Sequence, residues 1–193
     1  MRSLCVYCGS SPGADAAYTT AAASLGSLLA RQDIRVVYGG GRVGLMGVLA
    51  DAAIAGGGRV VGVITRALLA KEVAHRGLQQ LVVVDTMHER KAAMSDMADG
   101  FVMLPGGFGT LDEFFEAVTW TQLGVHSKPC GILDVNGFFT PLLDLLDEAV
   151  RQRFIRIEHR QMLIIESTPD LLLGRFDSWR PTVAEKWLDR TDR

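Results

Sequence analysis

Phe101-Val102-Met103-Leu104-Pro105-Gly106-Gly107-Phe108-Gly109-Thr110-Leu111-Asp112-Glu113 reads as a strand, a glycine loop and the opening of a helix. The apolar run 101–104 is short and unbroken, as in a strand buried on both faces. An amphipathic run over 111–123 follows, with Phe114, Val118 and Leu123 on its apolar side. Gly106, Gly107 and Gly109 let the backbone turn sharply and approach a ligand with no Cβ in the way. The helix behind them offers unpaired N–H groups and the positive end of its dipole, so a phosphate is the expected occupant. Thr110-x-x-Glu113 is at the same time a capping box, in which Thr110 caps the helix and Glu113 reaches back to it. A cap requires one glycine at most, so the three together favour a ligand.

Outward from this loop the same grammar repeats. Apolar runs at 2–8, 34–38, 59–64, 81–84, 129–133 and 163–165 predict further strands. Helical patterns separate them: an alanine-rich one ending near Arg31, then 45–55, 87–97 and 138–153, with 65–74 partly helical and short helices from Pro169 and Pro181. Alternating strand and helix defines an α/β domain over 1–193, a Rossmann-like doubly wound parallel sheet of about seven strands with helices on both faces. Ligands of such sheets lie beyond the carboxyl ends of the strands, near the switch point. The unusual residues follow the first, second, fourth and fifth strands, so they are expected along one edge.

The chain has 193 residues, 48% apolar and 22% charged, which suits one soluble domain with a substantial core. A net charge of −2 and a pI near 6.1 give no reason to expect a nucleic acid or an anionic membrane as partner. The apolar stretch near the N-terminus is too short for a signal peptide, and no run approaches a membrane span. Three cysteines, an odd number, argue for a reducing compartment, with the cytoplasm as the expected location.

Other motifs carry less. Gly39-x-Gly41-x-x-Gly44 matches the dinucleotide fingerprint but follows the second strand, and no acidic residue ends the third strand to hold a ribose. A loop at Gly40 and Gly41 that approaches some other nucleotide fits better. Gly9-Ser10-Ser11-Pro12-Gly13 has the spacing of a nucleophile elbow. Pro12 lacks the N–H that such an oxyanion hole uses, so Gly9 and Ser10 are read as hydrogen-bonding loop residues. Cys5 and Cys8, three apart on a strand, point to opposite faces and cannot share a metal. His75, His88, His126 and His159 stand in no ligand spacing. Thr86 and Glu89 can cap the next helix, which places Arg90 and Lys91 in its first turns, against the dipole. An arginine fork aimed at a carboxylate, phosphate or base accounts for them. Glu116 falls on the helix face of Glu113, as a second site carboxylate or a salt-bridge partner.

With Met87-His88-Glu89-Arg90-Lys91 and Pro105-Gly106-Gly107-x-Gly109-Thr110-x-x-Glu113 both read, the chain resembles the LONELY GUY (LOG) family, cytokinin riboside 5′-monophosphate phosphoribohydrolases once labelled lysine decarboxylases. The resemblance runs from the loop at Cys8 to the region of Glu166. It implies a nucleotide N-glycosidase that releases a free base and ribose 5-phosphate from cytokinin nucleotides and from AMP, with no cofactor. It implies that Arg90 and Glu113 are required for activity. By the same resemblance Glu72, Lys91, Gly107, Phe108, Gly109, Thr110, Leu111, Asp112 and Thr119 line the nucleotide site, and the protein is a homodimer with sites near the subunit interface. Lysine decarboxylation fits poorly, since the one lysine in a site motif adjoins an arginine suited to phosphate. The rival from another class is a carrier that binds a nucleotide or cofactor without cleaving it.

Overall fold

The computed structural model describes residues 1–71 and 74–180. Its seven strands are β1 (Ser3–Tyr7), β2 (Arg35–Tyr38), β3 (Val60–Thr65), β4 (Gln80–Val84), β5 (Phe101–Met103), β6 (Cys130–Leu133) and β7 (Leu163–Glu166). They form one sheet in the order β4-β3-β2-β1-β5-β6-β7, parallel throughout. The chain steps outward from β1 to β4 and then crosses to β5 on the other side of β1. The switch point therefore lies between β1 and β5, where Val6 is level with Val102. All the expected strands are present.

The helices are α1 (Ala16–Arg31), α2 (Gly44–Ala55), α3 (Arg66–Leu69), α4 (Met87–Asp96), α5 (Phe108–Gln122), α6 (Thr140–Arg151), α7 (Ile157–Arg160) and α8 (Pro169–Ser178). Each strand sends alternate side chains to opposite layers. Leu4 and Val6 of β1 join Leu25 and Leu29 of α1, Leu49 of α2 and Phe176 of α8 in one core. Cys5 and Tyr7 join Met94 of α4, Phe114 of α5 and Ile132 in the other. The opposed placement of Cys5 and Cys8 follows from the same alternation, and both are free, buried thiols.

Local chemistry sets the helix ends. Asp15 caps α1 by accepting from Ala17 N at 2.9 Å. Thr86 and Glu89 form the expected reciprocal capping box on α4. The pattern over 138–153 begins later than expected, at Thr140, because a 3-10 turn at Val135–Gly137 holds Asn136 and Gly137 at positive φ. The helical pattern from Pro181 lies outside the described residues.

Candidate functional site

The loops after β1 and β5 meet at the switch point. Gly9 N donates to Pro105 O at 3.0 Å, and Leu45 N, in the first turn of α2, donates to Gly9 O at 3.0 Å. A Cβ on Gly106 would collide with Thr110 Oγ1 and close on Gly9 N, and one on Gly44 would collide with the Ser10–Ser11 peptide. These glycines are needed for the protein's own packing. Gly107 and Gly109 differ, because a Cβ added at either would have no heavy atom within 4 Å. Packing within the chain does not call for glycine at either place, and their bare backbone faces open space that a ligand could approach.

The start of α5 differs from the expectation. Gly107, in extended backbone (φ −102, ψ −154), is the N-cap, and no side chain caps the helix. Thr110 sits inside the first turn, buried against Gly106, and Glu113 lies more than a turn beyond the cap at Gly107. No capping box forms between them, since glycine takes the cap position and moves the helix start upstream of Thr110. The amides of the first turn therefore have no side-chain partner, which is what an anion site requires.

Freed from capping, Glu113 pairs with Arg90. The Glu113 Oε1 atom accepts from Arg90 Nη1, and the two side chains are only 12% and 7% exposed. Arg90 also donates through Nε to Val63 O (2.8 Å) and through Nη2 to Gly39 O (3.2 Å). Carbonyls at the ends of β2 and β3 thus fix the guanidinium plane, and Gly39 must be glycine because a Cβ there would strike Arg90 Nη2. Burial pushes the Glu113 carboxyl above the usual carboxylate range, with Arg90's charge and hydrogen bond opposing that rise. A second pair of contacts runs alongside. Lys91 Nζ lies 3.3 Å from Asp112 Oδ2 and 3.2 Å from Glu116 Oε2. Burial pulls the Lys91 ammonium down, but hydrogen bonds and charge from Glu116 and Asp112 outweigh it and hold the pKa above its ordinary value.

A cleft of about 270 Å³ opens beside the glycine turn, between Gly9, Ser10, Pro105 and Gly107 on one side and Tyr18, Leu45 and Phe138 on the other. This is just below the roughly 300–1,000 Å³ of complete small-molecule pockets, so it suits one end of a ligand. Tyr18 and Phe138 meet edge to face at 5.5 Å and form its apolar wall. No sequence motif marks either of them; only the packing of α1 against the turn at 135–137 brings them together.

The remaining expected residues are distributed unevenly. Ser10 lines the cleft and is exposed. Phe108, at the first position of α5, is 93% exposed. Leu111 packs partly into the α4–α5 core. Thr119 is exposed, bonds back to Phe115 O at 2.7 Å and lines a separate cavity beside His159, more than a turn and a half along α5 from the Arg90–Glu113 pair. Gly40 and Gly41 do not approach an open site. Both are buried, because Gly40 O accepts from His75 N at 2.9 Å and Gly41 bridges to Ala74, which lays the segment after α3 over that loop. Glu72 lies outside the described residues.

Fold and site together define a Rossmann-like α/β protein with an uncapped, anion-type helix start and a buried arginine–glutamate pair at the switch point. Comparison with known proteins gives the family and the fold. Residues 46–176 match the family model described as "Possible lysine decarboxylase". The cytokinin riboside 5′-monophosphate phosphoribohydrolase LOG of Oryza sativa subsp. japonica is 44% identical over 180 residues, covering 93% of this chain and 74% of that protein. The corresponding LOG4 of Arabidopsis thaliana is 42% identical over 178 residues, covering 92% and 83%. Among solved structures, the molybdenum cofactor binding protein of Rippkaea orientalis superposes with a TM-score of 0.70 at 19% identity over 92% of this chain and 97% of that one. The molybdenum cofactor carrier protein of Chlamydomonas reinhardtii gives 0.69 at 14% identity over 92% and 96%. These last two share the fold alone. The chain belongs to the LOG family.

Proposed function

We propose that this protein is a phosphoribohydrolase that cleaves cytokinin riboside 5′-monophosphates, and AMP, to free base and ribose 5-phosphate. The observation that carries the reading is a buried carboxylate, Glu113, clamped by Arg90 one and a half turns below an uncapped glycine helix start. Membership of a family whose relatives carry that activity in their names supports it.

The 5′-phosphate docks on the free amides of the first turn of α5, around Gly107, Phe108, Gly109 and Thr110, with Ser10 across the cleft. The glycosidic bond then lies over the Glu113 region. As the bond from C1′ to the base nitrogen breaks, its electron pair leaves with the base and positive charge develops on the sugar. Ionised Glu113 stabilises that charge and takes a proton from the water whose oxygen bonds to C1′, while the departing base nitrogen takes up a proton from solvent and Glu113 returns its own to solvent. A carboxyl with a raised pKa is a stronger base than an ordinary one once ionised. Arg90 acts through Glu113, holding it in place, because its contacts are committed to that carboxylate and to two backbone carbonyls.

Two other readings are weaker on physical grounds. A Schiff-base lysine needs a lowered pKa, and Lys91 is held the other way by two carboxylates. A carrier has no use for a desolvated carboxylate beside the sugar. The protein acts as a homodimer, a reading supported by large exposed apolar side chains at Leu145 of α6, at Phe154 and at Ile157 of α7. Exposed Thr119 lines a cavity with Leu146 and His159, where a second subunit would bring it toward a site. Its three buried, free thiols suit the cytoplasm. Among the described residues no helix is long and apolar enough to cross a membrane.

Incubation of the purified protein with AMP and with N6-isopentenyl-AMP, followed by chromatography of the bases, tests the reading. Free adenine or isopentenyladenine with an equal amount of ribose 5-phosphate is expected. A nucleotide that binds and stays intact for hours favours the carrier.

A further inference from the structure

Two cations, Arg90 and Lys91, face three carboxylates, Asp112, Glu113 and Glu116, across the α4–α5 contact. That balance is one negative charge too many for a site that must attract a phosphate. Arg90 and Glu113 are locked together by burial. Lys91 is 11% exposed and shared between Glu116, 24% exposed, and Asp112, 63% exposed. The two carboxylates are therefore not equivalent. Glu116 is held in a partly desolvated position, whereas Asp112 can rotate into water at little cost. Asp112 also follows Gly109 by three residues and Phe108 by four, so it sits on the same helix face as the open glycine turn, about one 5.4 Å pitch below it. An anion on the Gly109 amide would repel Asp112 and draw the Lys91 ammonium upward.

Resting on the phosphate site of the proposed function, we infer that Asp112 is a displaceable counter-ion of Lys91, which an incoming phosphate replaces, while Glu116 is the positioning residue that keeps Lys91 in reach. In the empty site Asp112 occupies an ammonium proton that the ligand needs. Binding releases that carboxylate to solvent and transfers the proton's hydrogen bond to the phosphate. Glu116 retains its own contact throughout. Asp112 thereby sets how readily ribose 5-phosphate and other phosphate-bearing products leave.

Calorimetric titration of inorganic phosphate and of ribose 5-phosphate into the wild type, Asp112→Asn, Asp112→Glu, Glu116→Gln and Glu116→Asp tests this. Asp112→Asn should tighten both ligands by about 2- to 5-fold, the range of one exposed ion pair, and Asp112→Glu should leave them near the wild type. The gain should shrink in high salt. Glu116→Gln should weaken both ligands and raise KM with kcat largely kept, and Glu116→Asp should restore part of the loss. An Asp112→Asn protein that binds phosphate no better than the wild type, or no measurable phosphate binding by any variant, overturns the inference. Base release from AMP by the wild type is assayed beside these titrations. Its absence refutes the proposed reaction, whereas base release with an unchanged or weakened Asp112→Asn refutes only the counter-ion role.

Discussion

Glu113→Ala is expected to destabilise the protein as well as stop its chemistry. Arg90 is 7% exposed, and two of its contacts are to neutral carbonyls, Val63 O and Gly39 O, so Glu113 is the only carboxylate paired with it among the described residues. Removing that partner leaves a guanidinium buried without a counter-charge, which costs about 3–5 kcal/mol. For a chain of this size such a loss lowers Tm by roughly 10 °C. Arg90→Ala should cost less at acid pH than at neutral pH. The reason is that the stranded Glu113, whose pKa burial already raises, can take up a proton and become neutral. Replacing both residues by alanine removes the charges together and should cost less than the two single losses added. Urea unfolding of the four proteins at pH 7 gives the cycle, with a coupling of at least about 2 kcal/mol expected. A Glu113→Ala protein within about 1 kcal/mol of the wild type, or a cycle additive within about 0.5 kcal/mol, would refute the claim that this pair is buried and mutually dependent.

Other consequences are more local. Gly107→Ala and Gly109→Ala should fold with near-normal Tm yet raise KM for a nucleoside monophosphate, whereas Gly106→Ala should lose stability, because only the last meets protein atoms. The acidic limb of kcat/KM should lie above the 4.5 of an ordinary glutamate, and Glu113→Gln should lose turnover by about 10²-fold or more while still binding nucleotide. Burial holds the His126 imidazole at about 4. Between its usual 6.5 and that value the unfolded chain binds the extra proton, so stability falls as pH drops through this window. Urea midpoints of His126→Gln should show a shallower fall over that range. Sedimentation of a Leu145→Glu, Phe154→Ser double variant should shift a dimer toward monomer, since both are large apolar side chains exposed on the subunit.

Strands were legible because parallel-sheet strands are short apolar runs, and the alternation with helices then set the layers. The glycine turn and the α4 motif were legible because few residues other than glycine, and few capped helices with two cations, fit those places. The start of α5 is not legible from spacing, because Thr110-x-x-Glu113 fits a capping box and spacing cannot reveal that Glu113 has a stronger partner across the site. Arg90's other acceptors, the carbonyls of Val63 and Gly39, are backbone atoms and leave no side-chain signature. Gly40 and Gly41 looked open because nothing local shows that residues 74 and 75 fold over them. Tyr18 and Phe138 are far apart in the chain and were missed for the same reason.

The most direct test is a crystal structure of the Glu113→Gln protein with AMP bound. The account predicts phosphate oxygens within about 3 Å of the amides at residues 108–110 and the residue-113 carboxamide beside C1′. A phosphorus atom seated away from that turn, or a residue 113 facing away from the sugar, would contradict it.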